Sequence, residues 1–173
     1  RVLLDFGMQT TEDIESAYEV PYRKAGSPLY IELHRHLFAP ESTAYGDLNR
    51  FFDGVFDRVC REGEFCTMGP TDHMFYLICH AFKHFLHSGF GIRQVCDIML
   101  YANHFGSRID WDLLLSDCRA IRAEKFAAAL FRIGRNYLTF DPEKACLPAC
   151  WQSIAVDESA MLADLLDAGV YGG

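Results

Sequence analysis

Apolar positions recur along the chain with two periods. Over residues 29–37 the alternation is that of a strand, with Leu29, Ile31, Leu33 and Leu37 on one face and Tyr30, Glu32, His34 and His36 on the other. A turn at Ala25-Gly26-Ser27-Pro28 leads into it, and residues 1–9 read as the end of a helix stopped at Gly7. After Pro40 the spacing becomes helical. Asp47 to Arg61 aligns Leu48, Phe51, Phe52, Val55, Phe56 and Val59, with Gly63 as the stop. Thr71 is placed to cap a long helix from Asp72 to Ser88, followed by Gly89. Further helices are expected over Gln94–His104, from an Asp110 cap to Arg119, over Ala123–Leu138 and over Glu158–Asp167, before a glycine-rich tail expected to fray. The expected fold class is α+β, predominantly α: a short N-terminal β element of one or two strands, then a bundle of five or six helices.

Composition sets limits on function. Half of the 173 residues are hydrophobic and 23% are charged, an ordinary globular balance that excludes disorder. A net charge of −8 argues against broad binding to a phosphate backbone, so no nucleic-acid partner is expected, whereas a small anion needs only a few basic side chains. The most apolar stretch, Met74 to Leu86, is interrupted by His80, Lys83 and His84, so no membrane span is expected. The chain opens on Arg1 with no signal-peptide pattern, and Arg1 reads as an internal residue with sequence upstream of it. Seven cysteines, an odd number without a CxxC pair, read as free buried thiols in a reducing, cytoplasmic compartment.

Three clusters carry candidate chemistry. Glu32, His34 and His36 would project from one face of the strand, a rigid mount for a divalent ion or for a base that takes a proton from a hydroxyl; the alternative is an edge strand whose polar face meets water. In the helix 72–88, successive residues turn by about 100°, which gathers His73, His80, His84 and His87 into one stripe beside the apolar face. His80 and His84 are spaced to share a metal, though Ala81 stands where a zinc-protease signature needs Glu. The same stripe, helped by Lys83 and Arg93, could instead contact a substrate phosphate. Third, Gly106-Ser107 followed by Asp110-Trp111-Asp112 superficially suggests a nucleotidyltransferase signature. Its spacing is far too short, and Asp110 reads as a helix cap.

Four segments appear in order: Tyr30-Ile31-Glu32-Leu33-His34, Leu77-Ile78-Cys79-His80-Ala81-Phe82-Lys83-His84, Ile92-Arg93-Gln94-Val95-Cys96-Asp97-Ile98 and Ile109-Asp110-Trp111-Asp112-Leu113-Leu114. Together they resemble a family of bacterial putative nucleotidyltransferases within the polymerase-beta-like superfamily, over roughly residues 1–140. The resemblance implies that residues 1–40 are the C-terminal part of a nucleotidyltransferase-like α/β domain, its strand a remnant of that sheet, and that 41–173 form a helical domain. It further implies metal-dependent transfer of a nucleoside monophosphate from a nucleoside triphosphate to a small-molecule or protein hydroxyl. Glu32 would be the catalytic carboxylate and Mg²⁺ ligand, His34, Lys83, His84 and Arg93 would bind substrate, and His80 is a further metal candidate. The family's Gly-Ser loop and Asp-x-Asp pair do not occur in these residues. They are expected upstream, and the 173-residue chain is expected to be inactive alone, because Mg²⁺ keeps its waters unless phosphates or several carboxylates displace them.

Two alternatives stand beside the transferase. One is a noncatalytic helical module that binds a nucleotide or a partner, and the other is a histidine-based metal-binding protein. Acceptor, base preference and oligomeric state are not legible in the sequence.

Overall fold

The computed structural model describes residues 1–39, 47–87 and 89–170. The chain divides into two compact units, Arg1–Arg50 and Phe51–Gly173. The domain boundary expected at 40/41, Ser88 as a helix end and the last residues of the tail lie outside the described residues.

The first unit begins with α1 (Val2–Asp5), which ends where Gly7 adopts φ +77°. Strands β1 (Glu19–Arg23) and β2 (Tyr30–His34) form an antiparallel hairpin, with Glu19 opposite His34, Pro21 opposite Glu32 and Arg23 opposite Tyr30. Gln9 bridges to Arg23 on the outer edge of β1. Alternation puts Val20, Tyr22 and Ile31 on the inner face, where Val20 and Tyr22 bury with Met8 while Leu3, Ala17 and Ile31 pack against them. The expected apolar face of β2 is only partly covered: Leu29 and Leu33 are 51% and 46% exposed. Leu37 and His36 fall beyond the strand, because β2 ends at His34 and the chain bends through residues 35–38.

In the second unit the helix expected over 47–61 is replaced by other structure. Leu48–Phe52, which begins in the first unit, and Val55–Arg58 are short 3-10 turns separated by Gly54 at φ +67°, a conformation that no helix interior tolerates. Strands β3 (Cys60–Glu62) and β4 (Phe65–Thr67) follow, and Gly63, expected as a helix stop, sits at φ +64° in their hairpin.

The helices match the expected spans to within a few residues: α2 (Pro70–His87), α3 (Ile92–Phe105), α4 (Trp111–Ala120), α5 (Glu124–Tyr137), the short and unanticipated α6 (Ala149–Gln152), and α7 (Ser159–Ala168). Asp110 caps α4 as expected, accepting from the Leu113 amide at 3.0 Å. Thr71 does not cap α2. Pro70 already lies inside the helix, and the Thr71 hydroxyl accepts from the Asp110 amide at 2.9 Å instead. Helix α2 packs on α3 and α4, α5 packs on α3, α4 and α6, and Phe82, Phe90 and Phe126 meet in the core. Among the described residues no helix is long and apolar enough to cross a membrane. All seven cysteines are free; Cys79 and Cys118 are buried, but Cys66, Cys146 and Cys150 are exposed, contrary to the expectation that the thiols are buried.

Candidate metal centre

The polar face of the first hairpin is built by strand alternation. Glu19, Pro21 and Arg23 on β1 face His34, Glu32 and Tyr30 on β2, so that these side chains stand in cross-strand rows. One ligand atom from each of Glu19, Glu32 and His34 lies within 4.8 Å of the other two, and this is the one such group of three or more among the described residues. His34 Nε2 is 3.7 Å from a Glu19 carboxylate oxygen. The Tyr30 hydroxyl donates to Glu32 Oε1 at 2.6 Å and fixes that carboxylate in place. Tyr18 meets the His34 ring edge-on at 6.3 Å. Partial burial, then the Glu19 and Glu32 carboxylates, hold the Tyr18 phenol above its usual range; hydrogen bonding to Glu32 does the same for Tyr30.

The donor set fits a divalent cation. Two carboxylates meet the hard-oxygen preference of Mg²⁺, which is commonly held by one or two of them with water and phosphate completing its shell. The carboxylates suit Mn²⁺ as they do Mg²⁺, and the imidazole adds a nitrogen donor of the kind that suits Zn²⁺. Glu32 and Glu19 could hold such an ion, with His34 beside them.

Sequence patterning placed Glu32 and His34 together but missed Glu19. The signal was partial, since Glu19 and Arg23 flank Val20 and Tyr22 with strand spacing while Pro21 sits between them. Pro21 obscured it, because proline lacks the amide that a ladder needs and so argues against a strand. His36, past the end of β2, does not join the group.

The remaining candidates lie in the second unit. His73, His80 and His84 are half-buried and His87 is exposed, so most of the stripe does sit at the rim of the apolar face of α2. The His80 and His84 rings lie 4.6 Å apart, and both line a cavity of about 430 Å³ with Arg93, Tyr76 and Asp97. Lys83 is not among the residues that line it. Burial, then the charge of Lys83, lowers the His84 pKa and favours its neutral form.

A family model described as uncharacterised nucleotidyltransferase matches residues 1–139. The chain belongs to that family. The matched span takes in the hairpin with Glu19, Glu32 and His34 and runs through α5, and membership in a nucleotidyltransferase family implies a nucleotide substrate. No curated protein and no solved structure matches the chain.

Proposed function

We propose that this nucleotidyltransferase-family protein serves metal-dependent transfer of a nucleoside monophosphate from a nucleoside triphosphate to an acceptor hydroxyl, and that the β1–β2 hairpin supplies metal ligands. The observation that carries it is the convergence of Glu19, Glu32 and His34 within 4.8 Å on one strand face. A bound Mg²⁺ would neutralise phosphate charge and acidify a hydroxyl. The chain's own part is positional. The strands hold both carboxylates on one face, and Tyr30 orients Glu32. A carboxylate has two oxygens and several lone pairs, so the Tyr30 bond leaves Glu32 capacity for an ion or for the proton of an acceptor hydroxyl.

Titration with Mn²⁺, followed by paramagnetic broadening of amide resonances, tests this. Broadening is expected to centre on residues 18–20 and 30–34. Glu32→Gln is expected to weaken Mn²⁺ binding by at least the roughly tenfold that loss of a supporting partner costs a metal site. Broadening centred elsewhere, or unchanged affinity in Glu32→Gln, would sink the proposal. Because a Gly-Ser loop and an Asp-x-Asp pair at the family's spacing do not occur in these 173 residues, no label transfer from ATP or GTP is expected from them alone.

A noncatalytic role for the helical unit is a second reading, favoured by the cavity that His80, His84 and Arg93 line. Calorimetry separates the two, since the enzyme requires metal for productive nucleotide binding and a simple binding module does not.

A further inference from the structure

The first unit also holds a cleft of about 860 Å³ on the same hairpin. It is bounded by the α1 end, the segment around Thr10 and Thr11, and the β1–β2 turn, and Arg23, Lys24, Ser27 and Tyr30 line it. Two of its lining residues are cations and none is acidic, in a chain whose net charge is −8. Both cations are held in place. The Arg23 guanidinium lies over the Tyr30 ring, 4.8 Å from its centroid, and the Arg23 backbone is bridged to Gln9. Lys24 Nζ donates to the Phe6 carbonyl at 3.0 Å, which pins the ammonium to the C-terminal end of α1. An ammonium has three donors, so that single bond leaves two for a ligand.

The position of the cleft matters as much as its charge. Arg23, Pro21 and Glu19 alternate along one face of β1, and Glu32 stands opposite Pro21. Glu32 is therefore the diagonal cross-strand neighbour of Arg23, roughly 7–8 Å away. Tyr30 joins the two ends, with its ring under Arg23 and its hydroxyl on Glu32.

We propose that this cleft seats a phosphate group of a small-molecule substrate, with Arg23 and Lys24 recognising its charge and the rest of the molecule reaching along Tyr30 toward Glu32. The role of that molecule in the transfer rests on the metal-dependent function proposed above, but anion binding at Arg23 and Lys24 needs no metal.

The probe is pyrophosphate, titrated without metal at low ionic strength, where charge recognition is least screened. Amide shifts are expected at residues 9–11 and 23–30. Arg23→Gln and Lys24→Gln are each expected to raise Kd about tenfold, Arg23→Lys less, and Lys144→Gln, which does not line the cleft, not at all. Circular dichroism confirms that each variant is folded. No shifts at the cleft, or one Kd shared by wild type, Arg23→Gln and Lys24→Gln, would overturn the proposal. Glycerol 3-phosphate and a non-hydrolysable ATP analogue, titrated in parallel, identify the source of the phosphate as acceptor or nucleotide, according to which one the two variants weaken. Loss of the pyrophosphate result with intact Mn²⁺ broadening removes the anion seat alone. The converse removes the metal centre alone.

Discussion

An added methyl group meets very different neighbours at Gly106 and Gly134, and the contrast yields a quantitative prediction. Gly106 follows α3 with ordinary helical angles, φ −54° and ψ −36°, so backbone freedom is not why glycine stands there. Space is the reason. A Cβ at Gly106 would lie 2.0 Å from the Ala145 carbonyl oxygen, 2.5 Å from its carbon and 2.6 Å from its Cα. These are backbone atoms, and no rotamer change moves them. Relief requires a shift of more than an ångström at a residue whose carbonyl accepts the Trp111 indole N–H at 3.1 Å. Trp111 is buried against Phe131 and Trp151, and its own carbonyl accepts from Trp151 Nε1 at 3.1 Å, so the disturbance spreads through the aromatic core.

Overpacking costs about 1–3 kcal/mol, and orphaning a buried donor about 1–3 kcal/mol more. Gly106→Ala is therefore expected to destabilise by about 2–6 kcal/mol, or about 8–24 °C in Tm at roughly 4 °C per kcal/mol for a unit of this size. At Gly134 the added atom would meet Met99 Sδ at 2.1 Å and Cγ at 2.7 Å, the flexible end of a thioether, with Phe140 Cβ at 3.2 Å. Gly134 is inside α5, where alanine gains about 1 kcal/mol of helix propensity. Gly134→Ala should therefore fall within about 1 kcal/mol of wild type. Thermal and urea denaturation of both variants give the comparison. Met99→Ala should offset part of any loss in Gly134→Ala, whereas Ala145→Gly should not rescue Gly106→Ala, because the offending atoms are main chain. A Gly106→Ala midpoint within 3 °C of wild type, or a larger loss at Gly134, would refute this account of the packing.

Thiol accessibility gives a second prediction: in the native protein an alkylating reagent should modify Cys66, Cys146 and Cys150, and leave Cys79 and Cys118, whose pKa values burial raises, unmodified until denaturant is added. Peptide mapping that finds Cys118 labelled as fast as Cys150 contradicts it. A third concerns acid stability. Burial lowers the folded-state pKa of His73 and of His84, so the unfolded chain binds more protons as pH drops below about 6.5, and stability present above that pH is lost on acidification. Replacing His73 by Gln should flatten the urea midpoint between pH 7 and 5; an unchanged slope would show that its burial does not drive the loss.

Where local pattern and long-range packing agreed, the fold was legible. Helices α2 to α5 carry apolar stripes several turns long, and Asp110 caps α4 through a bond to a residue only three positions away. The failures cluster where two structures share a pattern. Spacings of three and four residues among Leu48, Phe51, Phe52 and Val55 suit a 3-10 turn as well as an α-helix, and the left-handed angle at Gly54 decides between them. With the helix broken, Phe56 and Val59 lose the common face and stand 73% and 40% exposed.

The candidate metal centre divides in the same way. Glu32 and His34 are separated by one residue, so any strand puts them together, whereas Glu19 reaches them only through a pairing register set thirteen positions away. That register also puts Arg23 over Tyr30. Moving one strand by a single residue would turn Glu19 to the opposite face and dissolve both the carboxylate group and its link to the basic cleft. The inward burial of Val20 and Tyr22 opposes such a slip, so a pair of apolar side chains with no chemical role maintains the alignment on which both sites depend.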